Sequence, residues 1–180
     1  MKKRIIALGL LWCLSAVMLQ AARVDTVLVR SAAMNKDVKV VYVLPDKAIG
    51  KQACPVVYLL HGYGGNARSW VQLKPELPQM ADEKGIIFVC PDGKNSWYWD
   101  SPENPAYRYE TFVTSELVKY TDGNYATIPD SKARAISGLS MGGHGALWSA
   151  IRHKDVFGAA GSMSGGVDIR PFPQNWEMNK

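Results

Sequence analysis

Apolar positions along the chain follow two different periods. Residues 24–31 and 36–44 alternate β-branched apolar side chains with polar ones, or run apolar, and a short polar break separates them. This pattern predicts an antiparallel strand pair. Pro55-Val56-Val57-Tyr58-Leu59-Leu60 and Gly85-Ile86-Ile87-Phe88-Val89-Cys90 are short continuous apolar runs, the mark of strands covered on both faces. Residues 134–139 form a third such run and 157–163 a fourth, less apolar one. Between the runs the period lengthens. Tyr109, Phe112, Val113, Leu117 and Tyr120 fall at helical spacing and predict a helix over 107–121. A helix within 70–84 is expected to break near its start at Pro75 and Pro78. Gly143, Leu147, Ala150 and Ile151 give the segment after residue 140 one apolar helical face. Strands alternating with helices indicate an α/β fold around a mostly parallel sheet.

The first residues follow neither period. Lys2-Lys3-Arg4, the apolar run from Ile5 to Leu19, and Ala21-Ala22 form the three regions of a secretory signal, so 1–22 reads as a leader and 23–180 as the domain. The alternative is an amino-terminal membrane anchor, but the apolar run is shorter than a span. Export to the periplasm or the medium is therefore expected, without stable membrane insertion after cleavage. The formal charge of +5 shrinks accordingly. Without the leader's three cations, 18 basic residues face 16 acidic ones, a balance of +2. No basic stripe interleaved with aromatics is present, which argues against a nucleic-acid partner. Cys54 and Cys90 remain after the leader. One opens a strand and the other closes a neighbouring one. If the strands are parallel, the Cα atoms lie roughly 15 Å apart, against a limit of about 7 Å for a disulfide. No Cys/His cluster has metal-ligand spacing.

The chemistry concentrates in two glycine-rich turns. Gly138-Leu139-Ser140-Met141-Gly142 stands between an apolar strand and an apolar-faced helix, the setting in which G-x-S-x-G forms a nucleophile elbow. Such a turn raises the Ser140 hydroxyl above the sheet edge at a helix N-terminus, where developing negative charge is favoured. His61-Gly62-Tyr63-Gly64-Gly65 directly follows the first buried strand. In elbow enzymes this loop supplies one oxyanion donor and the residue after the serine supplies the other, here Tyr63 and Met141. A phosphate-cradling loop would need the Lys-Ser/Thr that is missing here. Trp97, Tyr98, Trp99 and Asp100 follow another strand end, where ligands bind in such sheets. Trp97, Tyr98 and Asp100 are therefore candidate substrate-binding residues. Two readings stand for the rings: stacking on a sugar or aromatic acyl group, or covering the core.

These segments resemble the esterase D-like branch of the α/β-hydrolases, which includes acetyl xylan and feruloyl esterases, S-formylglutathione hydrolase and the mycolyltransferases. The resemblance rests on the 61–65 loop, Cys90-Pro91-Asp92-Gly93, Ser96-Trp97-Tyr98-Trp99-Asp100-Ser101-Pro102, Glu116-Leu117, and residues 138–147, and it covers about 36–170. It implies cleavage or transfer of an acyl ester, small or polysaccharide-borne, through a serine acyl-enzyme on Ser140, without metal or organic cofactor. Two other outcomes are weighed: acyl transfer to a sugar hydroxyl, and a non-catalytic glycan-binding protein. A serine peptidase would need a gating domain for which residues before 36 leave no room.

A serine esterase also needs a base and an acid, ordered Ser, then Asp or Glu, then His. The chain has three histidines, and none comes late enough. His61 belongs to the oxyanion loop, with a packing and hydrogen-bonding role. His144 lies one turn into the elbow helix and should lean along it. His153 ends that helix and reads as solvated. Asp168 follows the fourth buried run, whereas the resemblance puts the acid after a later strand. The triad Asp and His are thus expected to be absent, the 180 residues to be an incomplete hydrolase domain (complete ones run to about 200–250 residues or more), and the 157–163 strand to be left at a sheet edge.

Overall fold

The computed structural model describes residues 22–168 and Arg170. Most of the leader and the 171–180 stretch lie outside the described residues. Six strands form one sheet in the order β1-β2-β4-β3-β5-β6. They are β1 Arg23–Ser31, β2 Lys36–Leu44, β3 Val56–Leu60, β4 Ile87–Pro91, β5 Arg134–Leu139 and β6 Ala159–Met163. The β1–β2 and β2–β4 pairs are antiparallel, and β4, β3, β5 and β6 run parallel. Each element answers to a sequence period given above.

The two-residue period sorts the core onto two faces. Tyr42, Tyr58, Leu60, Val89 and Ile136 face one side, where they pack with Phe112, Leu117 and Ala146. Val41, Val43, Leu59, Phe88 and Cys90 face the other, where they pack with Leu77 and Ala81. Each large side chain so buried contributes about 1.5–3 kcal/mol. The first face is covered by a helix over 109–124 and by the elbow helix Met141–Arg152. The second is covered by helices Ser69–Leu73 and Leu77–Lys84. The break between these last two falls at residues 74–76, around Pro75.

The 109–124 helix is not uniform. Its middle turn, Phe112–Glu116, has π geometry, which brings Phe112, Val113 and Thr114 successively into the core. Cys54 and Cys90 are both free and buried. β6 pairs with β5 alone among the described residues, and its side chains are largely exposed. Among the described residues, no helix is long and apolar enough to cross a membrane.

Candidate active site

β5 ends at Leu139 and the elbow helix begins at Met141, so Ser140 carries the whole change of direction. It has φ 54° and ψ −115°, a conformation costly for a non-glycine residue. The surrounding backbone fixes it there. Its N–H donates to Met163 O at 2.8 Å, and its C=O accepts the His144 N–H at 3.0 Å. The side chain is exposed at the N-terminus of a twelve-residue helix. Met141 is the first residue of that helix, whose leading N–H groups have no intrahelical partner, and its side chain is fully buried.

The turn after β3 lies against the elbow. A Cβ on Gly62 would stand 3.3 Å from Leu139 O and 3.6 Å from Ser140 Cβ. The turn is closed by Gly65 N–H donating to Gly62 O at 3.0 Å, with Gly64 at φ 75°. Tyr63, at its tip, is 43% exposed. His61 is buried beneath it. Its Nε2 accepts the Gly93 N–H at 2.9 Å, so the ring proton sits on Nδ1 and is donated to Gly62 O at 2.7 Å. This is the local bonding role expected of His61.

The aromatic loop corrects part of the sequence reading. Lys94, Trp97 and Tyr98 all have positive φ (49°, 57° and 61°), each at a cost of about 1–2 kcal/mol. These conformations turn the rings inward. Tyr98 is fully buried, seated where Gly93 and Gly145 leave room for it, and its hydroxyl accepts the His61 N–H at 3.0 Å. It supports the site from beneath and cannot touch a substrate. Tyr98→Phe should lower the unfolding free energy by about 1–3 kcal/mol, because the buried His61 N–H loses its acceptor; urea unfolding measures it. Trp97 is 5% exposed and packs edge-on against His144 at 5.4 Å. Trp99 is half-buried. Asp100 is committed locally: its carboxylate accepts Thr111 N–H at 3.0 Å and Thr111 Oγ1–H at 2.5 Å.

Two cavities flank these rings. One, of about 810 Å³, runs from Gly64 and Gly65 past Asn95 and Trp97 to Trp99 and Tyr107. The other, of about 930 Å³, lies between the 109–124 helix and the end of the elbow helix, with Trp99, Asp100, Glu110 and Trp148 in its wall. Asp100 thus faces the cavity that does not include the oxyanion turn.

None of the three histidines meets Ser140. His144 leans along its helix as expected: it stacks on Trp148 and donates from Nδ1 to Gly166 O at 2.9 Å. Burial holds it below the ordinary imidazole value, partly offset by that bond, so it is neutral at pH 7. His153 departs from expectation. It is not simply solvated, because its Nε2 lies 2.8 Å from Oε1 of Glu110, a buried carboxylate that also accepts from Trp148 Nε1 and Arg152 Nε at 2.7 Å each. Sequence reading missed Glu110 because its partners stand about forty residues away. Asp168 pairs on the surface with Arg170 at 2.7 Å. Among the described residues, no side chain bonds to Ser140 Oγ.

A mostly parallel sheet with helices on both faces, an exposed serine at a positive-φ strand-to-helix turn and a glycine turn packed beside it define an α/β-hydrolase. Residues 31–179 match the putative esterase family, and the chain belongs to it. An acetyl esterase of Caldicellulosiruptor saccharolyticus is 29% identical over 136 residues, covering 71% of this chain and 50% of that protein. Diacylglycerol acyltransferase/mycolyltransferase Ag85A of Mycobacterium gordonae is 34% identical over 155 residues, covering 81% of this chain and 43% of that protein. The structure of a ferulic acid esterase superposes with a TM-score of 0.71 at 31% identity, over 81% of this chain and 58% of that one. The chain thus spans about half the length of the curated relatives it matches.

Proposed function

We propose that this chain carries the nucleophile and oxyanion half of a serine carboxylic ester hydrolase. The observation that supports it most is the Ser140 backbone: an exposed hydroxyl at φ 54° on a helix N-terminus, with the Gly62 turn against it. In this reading Ser140 Oγ attacks the acyl carbonyl, and the Tyr63 and Met141 N–H groups hold the oxyanion as the alcohol leaves. Water then releases the acid. The base that takes the Oγ proton, and its orienting acid, are none of His61, His144, His153 or Asp168, all of which are engaged elsewhere. The substrate is a small or polysaccharide-borne acyl ester, in line with the acetyl and ferulic acid esterases it resembles. Trp97, Tyr98 and Asp100 are the sequence candidates for substrate contact; Trp99, between them in the same loop, is half-buried and lies in the wall of both cavities, which favours it for that contact. The chemistry needs no cofactor, and the Lys2-Lys3-Arg4 leader sends the protein to the periplasm or medium. A second reading, transfer of the acyl group to a sugar hydroxyl, is favoured by the 34% identity to the mycolyltransferase.

An oxyanion hole without its triad still gives a residual acceleration of roughly 10³–10⁴ over water. The purified 180-residue chain should therefore be acetylated slowly and stoichiometrically at Ser140 by p-nitrophenyl acetate, without efficient turnover. Intact-mass and peptide mass spectrometry detect the adduct, and S140A should lack it. Acetylation at other residues only, with Ser140 unmodified, would overturn the proposal. Rapid steady-state hydrolysis abolished by S140A would show that a base is present after all.

A further inference from the structure

We infer that His61 is a positioning residue for the oxyanion turn, its Nδ1–H setting the peptide plane that carries the Tyr63 N–H; this rests on the acyl-transfer reading of Ser140. The Gly62 C=O and the Tyr63 N–H belong to one planar trans peptide, so whatever fixes the oxygen aims the N–H the opposite way. Gly62 O accepts two bonds, from His61 Nδ1–H at 2.7 Å and from Gly65 N–H at 3.0 Å. They hold different things. The Gly65 bond joins the first residue of the turn to its fourth, closes the turn on itself and travels with it. The His61 bond ties the turn to the buried end of β3. Without it the closed turn can tilt as a unit, and the Tyr63 N–H tilts with it.

His61 suits that task because it is itself fixed. Its ring is buried, and Gly65 passes so close to it that a Cβ there would stand 2.8 Å from Nδ1. Its backbone N–H donates to the Tyr98 hydroxyl at 3.0 Å, and its Nε2 accepts the Gly93 N–H at 2.9 Å. The last bond decides the chemistry. With Nε2 as acceptor, the neutral ring carries its proton on Nδ1, facing Gly62 O. The other tautomer would set Nε2–H against the Gly93 N–H and a lone pair against Gly62 O. One tautomer alone makes both bonds, and through it the loop after β4 sets the plane of the Tyr63 N–H. The turn so aimed lies against the nucleophile, where a Cβ on Gly62 would stand 3.6 Å from Ser140 Cβ. Oxyanion donors act through being set in place before reaction, so a misdirected one loses transition-state stabilisation rather than substrate binding.

Two substitutions in the full 180-residue chain separate this role from packing. His61→Phe keeps a ring of similar size and removes the donor. His61→Asn gives up the ring and keeps an N–H at the place of Nδ1. Acetylation of Ser140 by p-nitrophenyl acetate should slow by about tenfold or more in His61→Phe, with the half-saturating ester concentration unchanged; outright loss of a donor costs about 10²–10³-fold. His61→Asn should stay within about threefold of the parent. A ring held only for packing predicts the reverse order. Equal acetylation rates in parent and His61→Phe, or His61→Asn as slow as His61→Phe, would overturn the inference. Imidazole nitrogen NMR of the parent tests it without any variant having to fold: His61 should show a protonated Nδ1 and a bare Nε2, and the opposite tautomer would overturn the inference. Absence of acetyl-Ser140 in the parent would instead overturn the acyl-transfer reading; the His61 tautomer would still decide whether the ring holds the turn.

Discussion

Gly142→Ala is expected to destabilise the fold by about 3 kcal/mol, the upper end for overpacking a tight site. The added Cβ would stand 2.2 Å from Leu60 O, 2.6 Å from Leu60 C and 2.7 Å from His61 O. All three are backbone atoms, so no side chain can swing aside. They belong to the last residue of β3 and the one after it, and β3 pairs directly with β5. Relief would require the elbow helix to lift from the sheet or β3 to slide, and either would move the Gly62 turn away from Ser140. The same reasoning explains Gly138, where a Cβ would meet Gly142 C and O at 2.3 Å. The two glycines of the motif face each other across the elbow. Gly123→Ala provides the contrast: nothing lies within 4 Å of a Cβ there, near the end of the 109–124 helix. That variant should gain about 0.5–1 kcal/mol. Urea unfolding of the three proteins measures both shifts. A Gly142→Ala midpoint equal to the parent's would mean that the elbow is looser than its geometry implies.

The strands and the elbow were legible because each rests on a local pattern. Alternation in 36–44 separates Val41 and Val43 from Tyr42 and Leu44, and the structure sends the two sets to opposite faces. The glycines at 138 and 142 mark close backbone approach, and the structure supplies the atoms they approach. What the sequence concealed is non-local or conformational. Trp97 and Tyr98 are large aromatics rather than glycine or asparagine, so nothing in the letters signals their positive φ. Read as extended, they project into the crevice; turned left-handed, they go inward. The π turn at Phe112–Glu116 is hidden for a related reason, because Phe112 and Val113 satisfy ordinary helical spacing as well. His153 looked solvated because its partner is Glu110, one helix away.

Removing that partner should cost almost as much as damaging the elbow. Glu110 is 7% exposed and accepts from Trp148 Nε1, Arg152 Nε and His153 Nε2, three donors on or at the end of the elbow helix. Breaking a buried ion pair costs about 3–5 kcal/mol. Arg152 is half exposed and can rehydrate, so Glu110→Ala should fall at the low end, about 3 kcal/mol. The effect should carry a pH signature. Burial alone would raise the Glu110 carboxyl, but bonds from Arg152, Trp148 and His153 outweigh it and hold the group below its ordinary value. A depressed carboxyl contributes stability that is full above its unfolded value, about 4.3, and is lost as pH falls through the lower folded value. Glu110→Gln keeps the volume and removes the titration. The gap in melting temperature between parent and Glu110→Gln should therefore be constant from about pH 7 to about pH 5 and narrow below about pH 4.3. A gap unchanged down to about pH 2, below both values, would show that packing, not the ionised carboxylate, holds the helix. Trp148 stacks on His144, and His144 holds Gly166 while packing against Trp97 and Trp99. Glu110 thus braces the aromatic layer behind Ser140 from the far end of the elbow helix, and the variant should also loosen that layer, read as a shift in tryptophan emission.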